Sequence, residues 1–202
     1  MPEMIDEAGQ IESTTVNIYR TAATVKGGRR FSFGALVVVG DRQGKVGFGY
    51  AKSPEVPQAI EKAQRKARRN MVAVKRLGTT VPHEIESKYS ASKIRLIPAT
   101  PGTGIVAGAT VRAVLEMAGY NDCITKSLGS GNKLNVVKAT IDGLAKMRSL
   151  EEVAERRGVE LDASVIEQRI ERARALTGAG IGASAEDAQA TQEDDSDPAT
   201  NN

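Results

Sequence analysis

The run from Lys26 to Met71, KGGRRFSFGALVVVGDRQGKVGFGYAKSPEVPQAIEKAQRKARRNM, constrains the fold more than any other part of the chain. Its apolar residues switch from strand-like to helical spacing, and its cations gather in two places. Upstream, residues 16–25, VNIYRTAATV, are rich in β-formers, and Lys26-Gly27-Gly28-Arg29-Arg30 breaks them. The strand pattern resumes from Phe31 to Gly40 and ends in a continuously apolar stretch, Ala35 to Val39. Asp41-Arg42-Gln43-Gly44 has the chemistry of a hairpin turn, and Lys45 to Ala51 alternates as the return strand. Three antiparallel strands are expected. Ser53-Pro54 then predicts an N-cap followed by proline at the first helical position, with Glu55 complementing the helix dipole. Val56, Ile60, Ala63, Ala67 and Met71 recur at helical spacing and mark the inward face of a helix over 54–72. Lys62, Arg65, Lys66 and Arg69 form a separate cationic stripe on that helix.

Charge is distributed unevenly. Residues 1–15 carry Glu3, Asp6, Glu7 and Glu12 and no base, and residues 178–202 carry six acids and no base. Removing those ten acids from the 25 in the chain leaves 28 bases against 15 acids over residues 16–177, a net +13 where the whole chain has +3. A folded body that cationic attracts polyanions, of which nucleic acid is the commonest. No apolar run reaches the roughly 18 residues of a membrane span. The acidic start MPEMIDEAGQIEST has neither the basic nor the apolar part of a secretory signal. One cysteine, Cys123, excludes an internal disulfide framework and suits a reducing cytosol, and with one histidine the chain has no histidine-cysteine zinc site.

A second unit begins near Thr79. Thr79 to Ile85 and Lys93 to Ile97 read as strands around a polar turn, Ser87 to Ser92, and Pro98 to Gly108 is a glycine-rich loop. Ala109 to Ala118 is predicted as a helix with Gly119 as its C-cap, Asp122 to Leu128 as a strand, and Leu134 to Met147 as a helix with Val137, Ile141 and Leu144 inward. Ser149 and Glu152 fit a capping box for a short helix to Arg157. A charged helix is expected over 162–176 and a disordered acidic tail from 178 to 202. The fold class is α+β.

Four groups of residues carry possible chemistry. The loop Lys26 to Arg30 suits phosphate, because glycines let backbone amides and cations converge on one backbone segment; an ordinary tight turn is the plainer reading. Phe31, Phe33, Phe48 and Tyr50 fit base-stacking platforms, but packing of the sheet on its helix accounts for most of them. Gly102, Gly104 and Ala107 match a dinucleotide fingerprint with Asp122 twenty residues on. Asp122 would open the next strand rather than end it, and the sheet is too small for a doubly wound domain. His83 beside Glu84 and Glu86 is a lone base without a marked nucleophile, and Cys123 reads as a small core residue.

The segment VKGGRRFSFGALVVVGDRQGKVGFGYAKSPEVPQAIEKAQRKARRNM resembles the amino-terminal domain of the bacterial fifth small-subunit ribosomal protein family. PGTGIVAGATVRAVLEMAG and NVVKATIDGL resemble parts of that family's carboxy-terminal domain, and the likeness spans about residues 14–158. It implies a double-stranded-RNA-binding-like domain over 14–77, in which a three-stranded sheet packs on one helix. A β-α-β-α two-layer sandwich over 78–158 would follow. Outside the likeness, residues 1–13 are expected as a flexible acidic arm, 159–177 as a helical extension and 178–202 as the disordered acidic tail. It further implies a monomer in the cytoplasmic ribosome that binds 16S ribosomal RNA where the head meets the body of the small subunit. There it would contact the fourth and eighth small-subunit proteins and support assembly and decoding accuracy. Neither cofactor, metal, membrane, small-molecule substrate nor catalysis is implied. The RNA-binding residues would be Lys26, Gly27, Gly28, Arg29, Arg30, Arg42, Lys45, Lys52, Lys62, Arg65, Lys66, Arg68 and Arg69. Lys26 to Arg30 matches the family's loop toward the head hinge, where changes give spectinomycin resistance. Gly104 and Arg112 match positions at the border with the fourth protein, where changes loosen accuracy. A free-standing duplex-RNA regulator and a nucleotide-dependent enzyme are the competing classes.

Overall fold

The strand signals around the Lys26 turn build an antiparallel sheet. In the computed structural model, which describes residues 11–158, 166 and 168–172, β1 (Glu12–Val25), β2 (Gly28–Gly40) and β3 (Lys45–Ser53) pair in sequence. Helix α1 (Val56–Arg69) follows. The sheet then gains a fourth strand that the residue pattern did not suggest, β4 (Met71–Ala73), because the chain turns back after the helix and pairs Met71 with Gly47 and Ala73 with Lys45. Met71 therefore belongs to a strand and not to the helix face. The helix also starts later than expected. Ser53 stays in the sheet opposite Phe33, its hydroxyl bonds Gln58 at 3.0 Å, and Glu55 holds the cap position with its carboxylate on the Gln58 side-chain amide and not on a helix N–H. Glu12 and Ser13, at the end of the expected acidic arm, already pair with Gly40 and Val39.

The five apolar residues of β2 are continuous because both faces of the sheet are covered. Ala35, Val37 and Val39 pack on Ala59, Ala63 and Ala67 of α1. Leu36 and Val38 face a larger core with Val46, Val114, Leu115, Met117 and Tyr120. Successive side chains on a strand point to opposite faces, so burial of both requires an unbroken apolar run. Two of the four aromatic residues go to the side not expected for them. Phe48 and Tyr50 pack against the larger core, with Tyr50 edge-on to Tyr19 at 6.2 Å between centroids. No ring fits beneath α1, since a Cβ on Gly47 would lie 2.5 Å from the Ala67 carbonyl oxygen. Phe33 is half-buried and Phe31 is 46% exposed.

The second sheet comprises β5 (Ile85–Tyr89), β6 (Ser92–Pro98), β7 (Ile105–Val106) and β8 (Cys123–Gly129), in the order β5-β6-β8-β7. Helices α2 (Ala109–Ala118), α3 (Lys133–Lys146) and α4 (Leu150–Arg157) complete it. No strand forms over Thr79 to Glu84; pairing starts at Ile85, and the turn narrows to Ser90 and Ala91. Thr79 and Thr80 bind other parts of the fold instead of a strand partner. The Thr79 carbonyl accepts from the Asn121 and Asp122 amides, and the buried Thr80 hydroxyl accepts from the Ala99 amide at 3.1 Å. The helix signals hold more closely: Gly119 is left-handed at φ 86 and ends α2, while Val137, Ile141 and Leu144 are buried. The Ser149 hydroxyl accepts from the Glu152 amide at the start of α4. Residues 166 and 168–172 are helical; the rest of the expected 162–176 helix and the acidic tail lie outside the described residues.

The turn between β2 and β3 is bound to the end of α2. Arg42, at φ 54, donates its amide to the Met117 carbonyl at 3.1 Å. The Arg76 guanidinium spans the Arg42 and Gly119 carbonyls at 3.2 and 3.1 Å, and the Tyr120 hydroxyl donates to the Lys75 carbonyl at 2.8 Å. The closeness needs glycine twice, because a Cβ on Gly40 would overlap the Met117 carbonyl and one on Gly119 the Arg42 carbonyl. One buried cluster therefore runs from Leu36 through Tyr120 to Met147.

Candidate nucleic-acid interface

β1 and β2 outrun the rest of their sheet. β3 pairs with β2 only as far as Phe33 opposite Ser53, so Arg20 to Ser32 forms a two-stranded arm with no third strand beside it. The turn at its tip is shorter than the expected loop. Only Lys26 and Gly27 lie in it, while Gly28, Arg29 and Arg30 belong to β2 opposite Val25, Thr24 and Ala23. Adjacent strand residues face opposite sides, so Arg29 and Arg30 line different faces of the arm. All five residues from Lys26 to Arg30 are exposed, and there is no acid between residues 16 and 40.

The cations of α1 point outward because the alanine side is fixed against the sheet. Lys62, Arg65, Lys66, Arg68 and Arg69 are all exposed, whereas Ala59, Ala63 and Ala67 are fully buried. Arg65, Arg68 and Arg69 line a shallow hollow of about 520 Å³ with Glu61 and Gln64. Among the described residues the ion pairs are Arg42–Glu12, Lys75–Glu152, Lys93–Glu86, Arg95–Glu84 and Lys146–Asp142. None of them uses a cation of the arm or of α1. Exposed cations without a carboxylate partner suit phosphate oxygens.

The anticipated set therefore divides. Lys26 to Arg30 lie on the arm and Lys52 at the arm end of the sheet, while α1 runs from there back along β3, so that its last cations, Arg68 and Arg69, lie toward the Lys45 end. Arg42 and Lys45 lie at the opposite end of β3, and Arg42 is held by Glu12 at 2.6 Å. Arg20 and Arg76 complete the basic surface but carry no local signal, since each becomes informative only through a distant partner. Arg76 joins Arg42, Arg112 and Glu116 around a hollow of about 710 Å³.

The glycine loop has no free acid for a ribose. Asp122 is 4% exposed, and its carboxylate accepts the Gly104 amide at 2.9 Å, while the Cys123 amide donates to the Gly104 carbonyl at 3.1 Å. These bonds fix Gly104 at φ 75. Arg112 is exposed beside this loop and donates to the Ile105 carbonyl at 3.2 Å. His83 has both ring nitrogens engaged, Nε2 by the Arg148 amide at 3.2 Å and Nδ1 by the Glu84 carbonyl at 2.9 Å, which makes it a clasp and not a base.

Both halves of the chain match known domains: residues 11–75 match the domain described as "Ribosomal protein S5, N-terminal domain", and residues 87–157 match "Ribosomal protein S5, C-terminal domain". The chain belongs to the ribosomal protein S5 family. A relative from Idiomarina loihiensis, named "Small ribosomal subunit protein uS5", is 50% identical over 156 residues, covering 77% of this chain and 94% of the relative. One of the same name from Thermus thermophilus is 56% identical over 142 residues, covering 70% and 88%. S5-family proteins are structural, non-enzymatic constituents of the small subunit in the cytoplasmic ribosome, and the chain takes that general role with them.

The chemistry of Cys123 agrees with a structural role. Burial, which disfavours the thiolate, raises its thiol to about 11. Less thiolate at neutral pH and no access to solvent make it slow. Its reaction with an aromatic disulfide reagent is expected to be at least about a hundredfold slower in the folded chain than in denaturant, read by absorbance at constant pH. Equal rates would show an accessible thiol.

Proposed function

We propose that this S5-family chain binds 16S ribosomal RNA as a monomer where the head meets the body of the small subunit. Residues 14–77 supply the RNA-binding surface and residues 78–158 the protein-facing one. The arm residues Lys26, Gly27, Gly28, Arg29 and Arg30, Lys52 at the base of the arm and the α1 cations hold phosphates, with Arg42 and Lys45 at the far end of the sheet. Gly104 and Arg112 meet the fourth small-subunit protein, and the eighth binds nearby. Through these contacts the chain braces head against body during assembly and decoding.

The observation that carries this reading is the absence, among the described residues, of any ion pair on the arm or α1, on a chain whose middle is net +13. Phosphate contacts position a protein without reading sequence, so specificity comes from the shape of the folded RNA. The full chain is expected to sediment with small subunits on a sucrose gradient. Its affinity for a transcript of 16S RNA should fall with salt at a log-log slope of about −4 to −5, the value for some six neutralised phosphates. A slope near zero would exclude an electrostatic clamp. Replacing Arg29 and Arg30 by alanine should weaken binding without altering preference among helical RNAs. Unchanged affinity would assign the arm to another partner.

A further inference from the structure

The arm presents a pairing of planar groups that phosphate binding does not use. Arg20 stands opposite Phe33, and Ala22 opposite Phe31, so Arg20 and Phe31 are diagonal neighbours on one face. The Arg20 guanidinium carbon lies 4.0 Å from the centre of the Phe31 ring. Phe31 is still 46% exposed. A scattered exposed apolar residue needs no explanation, but this one has a cation ordered on its ring. By strand alternation Arg29 shares the face, and no acid lies between residues 16 and 40.

We propose that Arg20 and Phe31 form a stacking platform for one unpaired nucleobase, whose flanking phosphates are held by Lys26 and Arg29. This rests on the RNA-binding reading above and adds to it a contact with the base itself. The chemistry selects the ligand. A planar apolar ring and a planar cation take up the π-face of a base, and every base has one, so stacking tolerates sequence. Bases inside a helix are already stacked on their neighbours, so the ligand is a base from a loop, bulge or end. An acidic protein segment would satisfy the cations but leave the ring wet.

The chain contains no tryptophan, so Phe31→Trp in the full chain gives a single reporter on the arm. Two probes of about ten nucleotides are compared, oligoadenylate and an abasic strand with the same number of phosphates. Fluorescence of Phe31→Trp is expected to fall by about half on oligoadenylate and little on the abasic strand. Phe31→Leu, which keeps an apolar side chain but lacks a π-face, should bind oligoadenylate about 5- to 150-fold more weakly and the abasic strand unchanged. Arg20→Lys should weaken oligoadenylate selectively, because it keeps the charge and loses the plane. Equal quenching by both probes, or equal losses for both, would overturn the platform while leaving the salt-dependent clamp in place. Failure to bind either probe or a 16S RNA transcript at low salt would instead overturn the RNA-binding reading itself.

Discussion

Replacing Gly119 by alanine is expected to lower the melting temperature of the full chain by roughly 10 °C. Two costs add. Gly119 ends α2 in the left-handed region at φ 86, where an L side chain costs about 1–2 kcal/mol. The added Cβ would also overlap the Arg42 carbonyl oxygen and crowd the Arg76 guanidinium, which donates to the Gly119 and Arg42 carbonyls. Overpacking against backbone that cannot rotate away costs about 1–3 kcal/mol more. For a protein of this size each kcal/mol moves the midpoint by about 2–4 °C. Gly131→Ala is the control, because nothing lies within 4 Å of its would-be Cβ and its φ is not left-handed. Calorimetry of both variants decides the matter. A shift below about 2 °C for Gly119→Ala would mean that the β2–β3 turn does not depend on close approach to α2.

Replacing Lys62, Arg65, Lys66 and Arg69 together by glutamine should reduce affinity for a 16S RNA transcript on the order of a thousandfold at about 0.1 M salt. The slope against salt should become shallower by about three to four, as each of the four lost phosphate contacts removes about 0.7–0.9 of a unit. Stability should change little, because the four side chains are exposed, pair with no acid among the described residues, and glutamine is a good helix former. Lys88→Gln on β5 is the matched control, an exposed cation on the second sheet. A loss smaller than about tenfold for the fourfold variant would remove α1 from the interface.

What could be read from the residues, and what could not, follows the range of the interactions involved. Helix α2 and its glycine cap were legible, because a left-handed cap and the helical spacing of Val111, Val114, Leu115 and Ala118 are local properties. The cationic stripe of α1 was legible for the same reason. The β4 strand was not, since its three residues become a strand only by meeting Lys45 to Gly47. Thr79 to Glu84 has strand-like residues, but its carbonyls and hydroxyls answer to Asn121, Asp122 and Ala99. Each aromatic pair keeps its shared phase, but Phe48 and Tyr50 face away from α1, because the glycines of β3 that admit the helix also exclude rings there, whereas Phe31 and Phe33 stay on the phase of Ala35 and Val37. Arg20 lay hidden in the β1 pattern until the register set it diagonally across from Phe31.

The covering of β2 on both faces has a consequence for how RNA is engaged. A sheet buried on either side offers no open floor on which a strand of nucleotides can lie, so on the proposed reading contact would fall to the flank of α1, the arm and the sheet end with Arg42 and Lys45. From Phe33 to the tip at Lys26 the arm spans about 20 Å at the usual rise per residue. As phosphate sites the two patches would act as the jaws of a calliper. On that reading each alone would grip weakly, and both would close together on RNA already folded to the matching gap, where the second contact forms at high effective concentration. Binding of this kind would gauge how far the RNA has folded.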